Sequence, residues 1–168
     1  MINLVLIGMP GCGKTTISRR LHETLKIPLI DIDAYLEDNC METIEEMFLK
    51  GEAYFRDQET RMTRRLATVH GTILSCGGGI VLREENMRLL SRNGRIYYLK
   101  RDIEKIMEEV DTSHRPLLKQ GKQALYRLEK ERSHLYERYA DVIVDNNDSI
   151  ETTVRTIQED YQAWCQRV

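Results

Sequence analysis

Residues 8–16, "GMPGCGKTT", are the stretch that decides the fold of this chain. They follow the apolar run "INLVLI" and precede "ISRRLHETL", in which Ile17, Leu21 and Leu25 recur at a spacing of four. An apolar run that ends at glycine is typical of a buried strand, and a spacing of four is typical of one face of a helix. The stretch is therefore predicted to be a tight turn between a strand and a helix.

This turn matches the phosphate-binding pattern GxxxxGK[ST] in full. Its glycines let backbone N–H groups face a phosphate, and the helix N-terminus adds positive potential. Lys14 is expected to bridge the β- and γ-phosphates of a nucleoside triphosphate, and the Thr15 hydroxyl to ligate Mg²⁺. The residues expected to bind the nucleotide are Gly11, Cys12, Gly13, Lys14, Thr15 and Thr16. This loop alone does not name a reaction, since switches, motors, transporters and kinases all use one.

Length, charge and cysteine content limit the classes of protein to which the chain can belong. A length of 168 residues suits one domain spanning residues 1–168, and 31% charged residues with a net charge of -2 call for neither nucleic acid nor a membrane. The N-terminus leads directly into a strand pattern, so we expect a cytoplasmic protein, and we expect it to be a monomer. The cysteines show neither a CxxC motif nor zinc spacing and are expected to be free thiols: Cys12, Cys40, Cys76 and Cys165.

Strand and helix patterns alternate along the whole chain. Such alternation predicts an α/β fold of three layers, with a parallel sheet covered by helices on both faces. Ligands of these sheets lie beyond the carboxyl ends of the strands, which here are followed by Gly8–Thr16, Asp31–Asp33 and Gly77–Gly79.

The same pattern predicts three element boundaries. The second strand, "PLIDID", is predicted to run to Asp33, and a helix to begin at Ala34. A long helix is predicted from residue 53 to Gly71, where glycine ends it. Residues 111–123 contain Pro116 and Gly121 and are predicted to be irregular, with the next helix beginning at residue 124.

Two acids follow the second strand, in "DIDAYLE" at residues 31–37. One of Asp31 and Asp33 is suited to hold a water of the Mg²⁺ shell. The other is suited to accept a proton from an acceptor hydroxyl, or to orient that hydroxyl. The alternative is structural, because Asp33 precedes a predicted helix and is a good N-cap residue.

Three arginines are distinguished by their surroundings. Arg56 lies at the start of a helix, where a cation is unfavourable unless an anion faces it or Glu59 pairs with it. Arg115 lies in "HRPLL", a segment suited to a lid over phosphates. Arg132 lies in a helix rich in charge, where the alternative is a surface ion pair with a flanking glutamate.

A glycine triplet, Gly77–Gly79, follows the third strand in "CGGGI". Ordering three glycines is entropically costly, so the triplet is expected where the backbone approaches a ligand closely or adopts positive φ. The alternative is a loose turn without a ligand.

These blocks together resemble the shikimate kinase family. The resemblance rests on "GMPGCGKTT", "DIDAYLE", "MFLKGEAYFRDQE", "LSCGGGIV", "RPLL" and "ERSHLYERYADVIVD", in this order over most of the chain. It implies transfer of phosphate from ATP to the 3-hydroxyl of shikimate, on the route to chorismate and the aromatic amino acids. It also implies a five-stranded parallel sheet of order 2-3-1-4-5, a substrate-binding region at about residues 32–60 and a lid at about residues 111–123.

The same resemblance implies roles for single residues. Lys14, Asp33 and Arg115 would be catalytic, with Asp33 binding the shikimate hydroxyls and acting as base, and Arg115 contacting the phosphates. Asp31 would join Thr15 in organising Mg²⁺. The rest of the shikimate site would be formed by Arg56 and Arg132 at the carboxylate, and by Gly77, Gly78 and Gly79, with the Gly78 N–H as a donor.

The chain also departs from the family pattern. An arginine that stacks on adenine usually lies about seven residues before the lid arginine, but "KIMEEVDTSH" stands here, with Glu108 and Glu109. Arg101 and Lys105 lie too many residues before the lid arginine to match that position. A glycine usual between the two short helices is also missing from "NCMET" at residues 39–43. Two other classes stay open at this point: a kinase of another small molecule, such as a gluconate kinase relative, and a nucleotide-binding regulatory module.

Overall fold

The structure, a computed structural model, describes residues 1–109 and 118–167, with the backbone alone for residues 118–120. Its sheet has five parallel strands in the order β2-β3-β1-β4-β5, which confirms the predicted fold class and strand order. The strands are β1 Asn3–Ile7, β2 Leu29–Asp31, β3 Ile73–Ser75, β4 Gly94–Lys100 and β5 Val142–Asp145.

The described residues form eight α-helices and one short 3₁₀ helix, Ile80–Leu82. The helices are α1 Lys14–Leu25, α2 Ile32–Cys40, α3 Ile44–Leu49, α4 Glu52–Leu66, α5 Glu84–Ser91, α6 Ile103–Glu109, α7 Leu118–Tyr139 and α8 Ile150–Cys165. No helix within residues 1–109 and 118–167 has both the length and the apolar character needed to cross a bilayer.

The central strand β1 forms the middle of the main core. All five of its residues are buried, as expected for a strand covered on both faces, and Leu4 and Ile7 are fully inaccessible. A second, smaller core of Leu36, Met47, Phe55 and Met62 joins α2, α3 and α4. The helices that follow β2 thus have their own apolar support beside the sheet.

The sheet register brings three loops together. Ser75 of β3 is in register with Asp31 at the end of β2 and with Leu6 of β1. All three strands run in the same direction, and each of the three segments begins at this level of the sheet or two residues beyond it. The glycine triplet, the acids and the phosphate-binding loop therefore lie together at the carboxyl end of the strands, where a parallel sheet binds its ligands.

Strand β2 is shorter than predicted. It ends at Asp31, and α2 begins at Ile32 instead of residue 34. Asp31 is the N-cap, since its Oδ1 accepts the backbone N–H groups of Asp33 at 3.0 Å and Ala34 at 3.1 Å. The alternative that Asp33 caps this helix is therefore wrong, because Asp33 already lies in the first helical turn.

Two helix boundaries also differ from the prediction. Helix α4 ends at Leu66 rather than near Gly71, and the carbonyl of Val69 accepts side-chain amides from Asn3 and Asn93 instead of continuing the helix. Helix α7 begins at Leu118 and continues through Gly121, which the prediction placed in an irregular segment. A single glycine costs a helix about 1 kcal/mol, which the packing of a long helix can outweigh.

The four cysteines are free thiols, as predicted. In the part of the chain that the structure describes, no group of three or more His, Cys, Asp and Glu side chains is arranged to hold a metal.

Candidate active site

The phosphate-binding loop lies between β1 and α1. Met9, Pro10, Gly11 and Cys12 form a tight turn in which the Cys12 N–H donates to the Met9 carbonyl at 3.1 Å. Proline followed by a glycine at φ 80° is typical of a type II turn. Gly13 is the N-cap of α1 at φ 101° and supplies no capping side chain, so the first N–H groups of this helix are available to an anion.

Lys14 begins α1, and its side chain folds over the loop. Its Nζ donates to the carbonyls of Gly8 at 2.7 Å and Met9 at 2.9 Å and lies 3.6 Å from Cys12 Sγ. The ammonium group therefore lies at the mouth of the loop. Thr15 and Thr16 follow it in the first turn and are exposed.

The two acids have different environments. Asp31 uses Oδ1 to cap α2, as described above, whereas Asp33 is half-buried in the first turn. Burial raises the pKa of Asp33, and the negative charge of Asp31 raises it further, while Lys14 and Arg56 oppose both effects. Asp33 therefore lies within electrostatic range of both Lys14 and Arg56.

The glycine triplet packs against three other parts of the site. A Cβ at Gly77 would lie 2.7 Å from Asp33 Oδ1, and one at Gly78 would lie 2.8 Å from Pro10 Cδ. A Cβ at Gly79 would overlap the Arg56 guanidinium. Real Cβ atoms are not found at such distances, so the acid, the phosphate-binding loop and the arginine approach this turn as closely as glycine allows. A loose turn would not show such contacts.

Arg56 is 8% exposed at the start of α4. Its Nη1 donates to both carboxylate oxygens of Glu59, at 3.1 Å and 2.9 Å, so the pairing left open by the sequence is present. Among the described residues its Nε is buried without a hydrogen-bond partner, although Glu52 Oε1 lies 3.5 Å away. Burial raises the pKa of Glu59, and the Arg56 charge opposes that shift. Glu59 thus holds one edge of the guanidinium and leaves donors on the other side.

Arg132 lies on α7, close to Tyr136. Within the described residues it forms no ion pair with a flanking glutamate, and its Nε is buried without a hydrogen-bond partner. Tyr136 is fully buried, and its hydroxyl donates to the Gly78 carbonyl at 2.5 Å. Burial raises the pKa of this hydroxyl, which keeps it protonated as a donor. Helix α7 is thereby tied to the glycine triplet, beside Arg132.

A cavity of about 360 Å³ lies on the other side of the loop, where the sequence showed no diagnostic motif. Its lining includes Gly13, Thr16, Arg101 and Asn146. Nη1 of Arg101 donates to the Asn146 carbonyl at 2.6 Å, its Nη2 pairs with Glu109, and its Nε is buried without a partner among the described residues. Arg101 lies too many residues before Arg115 to match the expected arginine in sequence. Its side chain nevertheless lines the space beside the first turn of α1.

Arg115 and residues 111–117 of the predicted lid lie outside the described residues. Apart from Asp31 and Arg132, described above, the remaining predicted residues fall into two groups. The loop residues Gly11 to Thr16 lie between β1 and α1, and Asp33, Arg56 and Gly77–Gly79 come together beside them. Sequence reasoning missed Tyr136 and Asn146, since a lone tyrosine or asparagine in a polar stretch carries no signal of its partner.

A phosphate-binding loop on a parallel sheet of order 2-3-1-4-5, beside a cleft with an acid and a buried arginine, defines the class of P-loop kinases of small molecules. The family model for shikimate kinase matches residues 10–162. The chain belongs to the shikimate kinase family.

Relatives and solved structures agree with this assignment. The chain is 45% identical to the shikimate kinase of Clostridium beijerinckii over 93% of this chain and 92% of that one. It is 42% identical to that of Dictyoglomus turgidum over 93% and 95% of the two chains. The shikimate kinase of Acinetobacter baumannii in complex with shikimate is 29% identical and matches with a TM-score of 0.86 over 99% and 94% of the two chains. A gluconokinase from Sinorhizobium meliloti, at 18% identity and a TM-score of 0.63, shares the fold alone.

Proposed function

We propose that this chain transfers the γ-phosphoryl group of ATP to the 3-hydroxyl of shikimate and releases ADP and shikimate 3-phosphate. The observation that carries the proposal is the convergence of Asp33 and Arg56 on the glycine triplet, next to the phosphate-binding loop. Shikimate carries one carboxylate and three hydroxyls, which require a cation and a polar acceptor a short distance apart. Membership of the shikimate kinase family supports the same substrates.

The acceptor half of the site suits a carboxylated polyol. Arg56 and Arg132 would bind the carboxylate, since a guanidinium donates two parallel hydrogen bonds to such a group. Glu59 occupies one nitrogen of Arg56 and fixes the orientation of the others. Asp33 would accept hydrogen bonds from the hydroxyls, and the Gly78 N–H would be a further donor.

The donor half would hold the triphosphate on the N–H groups at the start of α1, with Lys14 at the β- and γ-phosphates. The cavity beside Gly13 and Thr16 has room for the nucleoside, and the Arg101 guanidinium at its wall offers a planar cation for the base. Arg115 would contact the phosphates, as the family resemblance implies.

The residues at the loop also fit Mg²⁺. The Thr15 side chain is exposed and hydrogen-bonds to no described residue, and Asp31 retains Oδ2 when Oδ1 caps α2. Mg²⁺ is commonly bound by one or two protein oxygens together with phosphates and water, so a dedicated protein cage is not required. When bound, the ion would neutralise charge on the β- and γ-phosphates.

The chain's own residues would do the following during transfer. Asp33 orients the 3-hydroxyl and accepts its proton as the oxygen forms its bond to the γ-phosphorus and the bond to the β-phosphate oxygen breaks. Lys14 stabilises the charge on the transferring group. The glycine triplet admits the ring close to the loop because no side chain stands between them.

Turnover should be measured with ATP and shikimate, gluconate or a nucleoside monophosphate in parallel, with the product identified by phosphorus NMR. Only shikimate is expected to be phosphorylated, at the 3-oxygen. Comparable turnover of gluconate would contradict the proposal. The expected cytoplasmic location and monomeric state remain predictions, to be checked by cell fractionation and by light scattering.

A further inference from the structure

We propose that Asn146 is a positioning residue of the donor site, which holds the Cys12–Gly13 peptide so that the Gly13 N–H faces the bound phosphate. The proposal rests on the proposed function only in that the loop must bind a nucleotide. Asn146 follows β5, is 3% exposed, and lies 134 residues from the loop in sequence.

The Asn146 side chain has a defined orientation. Its Nδ2 donates to the Cys12 carbonyl at 2.7 Å, and its Oδ1 accepts the Thr153 hydroxyl at 2.8 Å. A carbonyl can only accept, so the NH₂ group must face Cys12, while a hydroxyl can serve the remaining oxygen. Both hydrogen bonds are buried, where an unmade bond is costly.

The Asn146 backbone is also held on both sides. Its N–H donates to the Lys100 carbonyl at 2.8 Å at the end of β4, and its carbonyl accepts Nη1 of Arg101 at 2.6 Å. Asn146 is thus held to the sheet through its backbone and to α8 through its side-chain contact with Thr153.

The consequence for the loop follows from peptide geometry. In a trans peptide the C=O and N–H groups point in opposite directions, and all peptides of the described residues are trans. With the Cys12 carbonyl held by Asn146, the Gly13 N–H faces away from that side chain. No described residue accepts this N–H. A Cβ at Gly13 would lie 2.8 Å from Asn146 Nδ2, so the contact also requires glycine at the start of α1.

A donor fixed in advance stabilises a phosphate without reorganisation at the moment of binding or reaction. Without the Asn146 amide, the Cys12–Gly13 peptide is free to rotate, and its carbonyl can replace its N–H at the phosphate. We expect Asn146→Ala to weaken ADP binding and to raise KM for ATP by about tenfold, the order expected for one buried hydrogen bond. Shikimate affinity measured without nucleotide should stay within about twofold, since Asn146 touches none of the acceptor residues.

Isothermal titration with ADP and with shikimate, together with KM for each substrate, tests this in the full chain. Asn147→Ala is the matched control, because among the described residues the Asn147 side chain hydrogen-bonds only to Asp102, just before α6. We expect both affinities of this control to be unchanged. Thr153→Val removes the hydroxyl that orients the Asn146 amide and should weaken ADP binding by about threefold. This second variant tests the proposal if Asn146→Ala fails to fold.

The outcomes distinguish the two proposals. Unaltered ADP affinity in both Asn146→Ala and Thr153→Val, or an equal loss of ADP and shikimate affinity, would overturn the role of Asn146. Failure of the unmodified chain to bind ADP, or to phosphorylate shikimate, would instead contradict the proposed function.

Discussion

Oδ1 of Asp31 accepts the backbone N–H of Asp33 at 3.0 Å, so the first acid of the pair holds the second in place. The two carboxylates have different hydrogen-bond environments. Asp31 uses one oxygen to cap α2, whereas the Asp33 carboxylate forms no hydrogen bond with a described residue. The variants of Asp31 can therefore separate a structural role from a metal role.

We predict that Asp31→Asn keeps the cap, because the amide oxygen still accepts both N–H groups, but raises the Mg²⁺ concentration needed for half-maximal activity by about tenfold. Asp31→Ala should do the same and also lower the free energy of unfolding by about 1 kcal/mol, the usual value of an N-cap. Mg²⁺ titrations and chemical denaturation measure the two effects. An Asp31→Asn enzyme with an unchanged Mg²⁺ requirement would remove Asp31 from the metal site.

We predict that Asp33→Asn lowers kcat by about 10²–10⁴-fold, as expected for loss of a general base. The same variant should unfold at a temperature no lower than that of the unmodified chain at pH 7.5, because burial disfavours the charged carboxylate. Steady-state kinetics and thermal unfolding test both parts. A change in KM alone would make Asp33 a binding group and not a base.

The pH dependence follows from the raised pKa of Asp33. The acid limb of kcat/KM for shikimate should lie above the ordinary carboxyl value of 3.8, since the protonated acid can no longer accept the hydroxyl proton. Between the unfolded and folded pKa values the folded chain binds more protons, so this group's contribution to stability falls as pH rises through that window. Loss of this stability slope in Asp33→Asn checks the assignment. If the acid limb of kcat/KM is unchanged in an Asp33 variant with residual activity, the limb reports the titration of another group.

We predict that Arg56→Ala raises KM for shikimate by about 10²-fold and leaves KM for ATP within about threefold. It should also destabilise the chain, because Glu59 is left buried without its partner. Arg64→Ala on the same helix is a matched control, since its ion pair with Glu85 is exposed to solvent. Full shikimate affinity in Arg56→Ala would refute the carboxylate clamp.

We predict that Lys14→Ala reduces turnover below detection, since it removes the one side-chain point charge of the loop. The variant should fold, because its Nζ contacts are with backbone carbonyls that water can serve. Lys26→Ala, at the other end of α1, is the control and should retain activity. Near-normal kcat in Lys14→Ala would exclude the role given to this lysine.

Much of the fold and part of the candidate site could be predicted from local sequence patterns. The glycine loop and the alternation of strands and helices depend on residues close in sequence, and the structure contains both. Which acid caps α2 was decided by where β2 leaves the sheet, two residues earlier than its apolar pattern suggested. The contacts of Asn146 with Cys12 and of Tyr136 with Gly78 join residues 134 and 58 positions apart, which no local pattern encodes.

We expect the glycine triplet also to limit the size of the acceptor that the cleft can take. The Asp33 carboxylate lies so close to Gly77, and the Arg56 guanidinium so close to Gly79, that a Cβ at either position would overlap them. A methyl group on Gly77 would displace the Asp33 carboxylate, and one on Gly79 would displace the Arg56 guanidinium. Among designed variants, this turn is therefore the place where a change of one carbon atom would alter which ring fits, while the phosphate-binding loop stays the same.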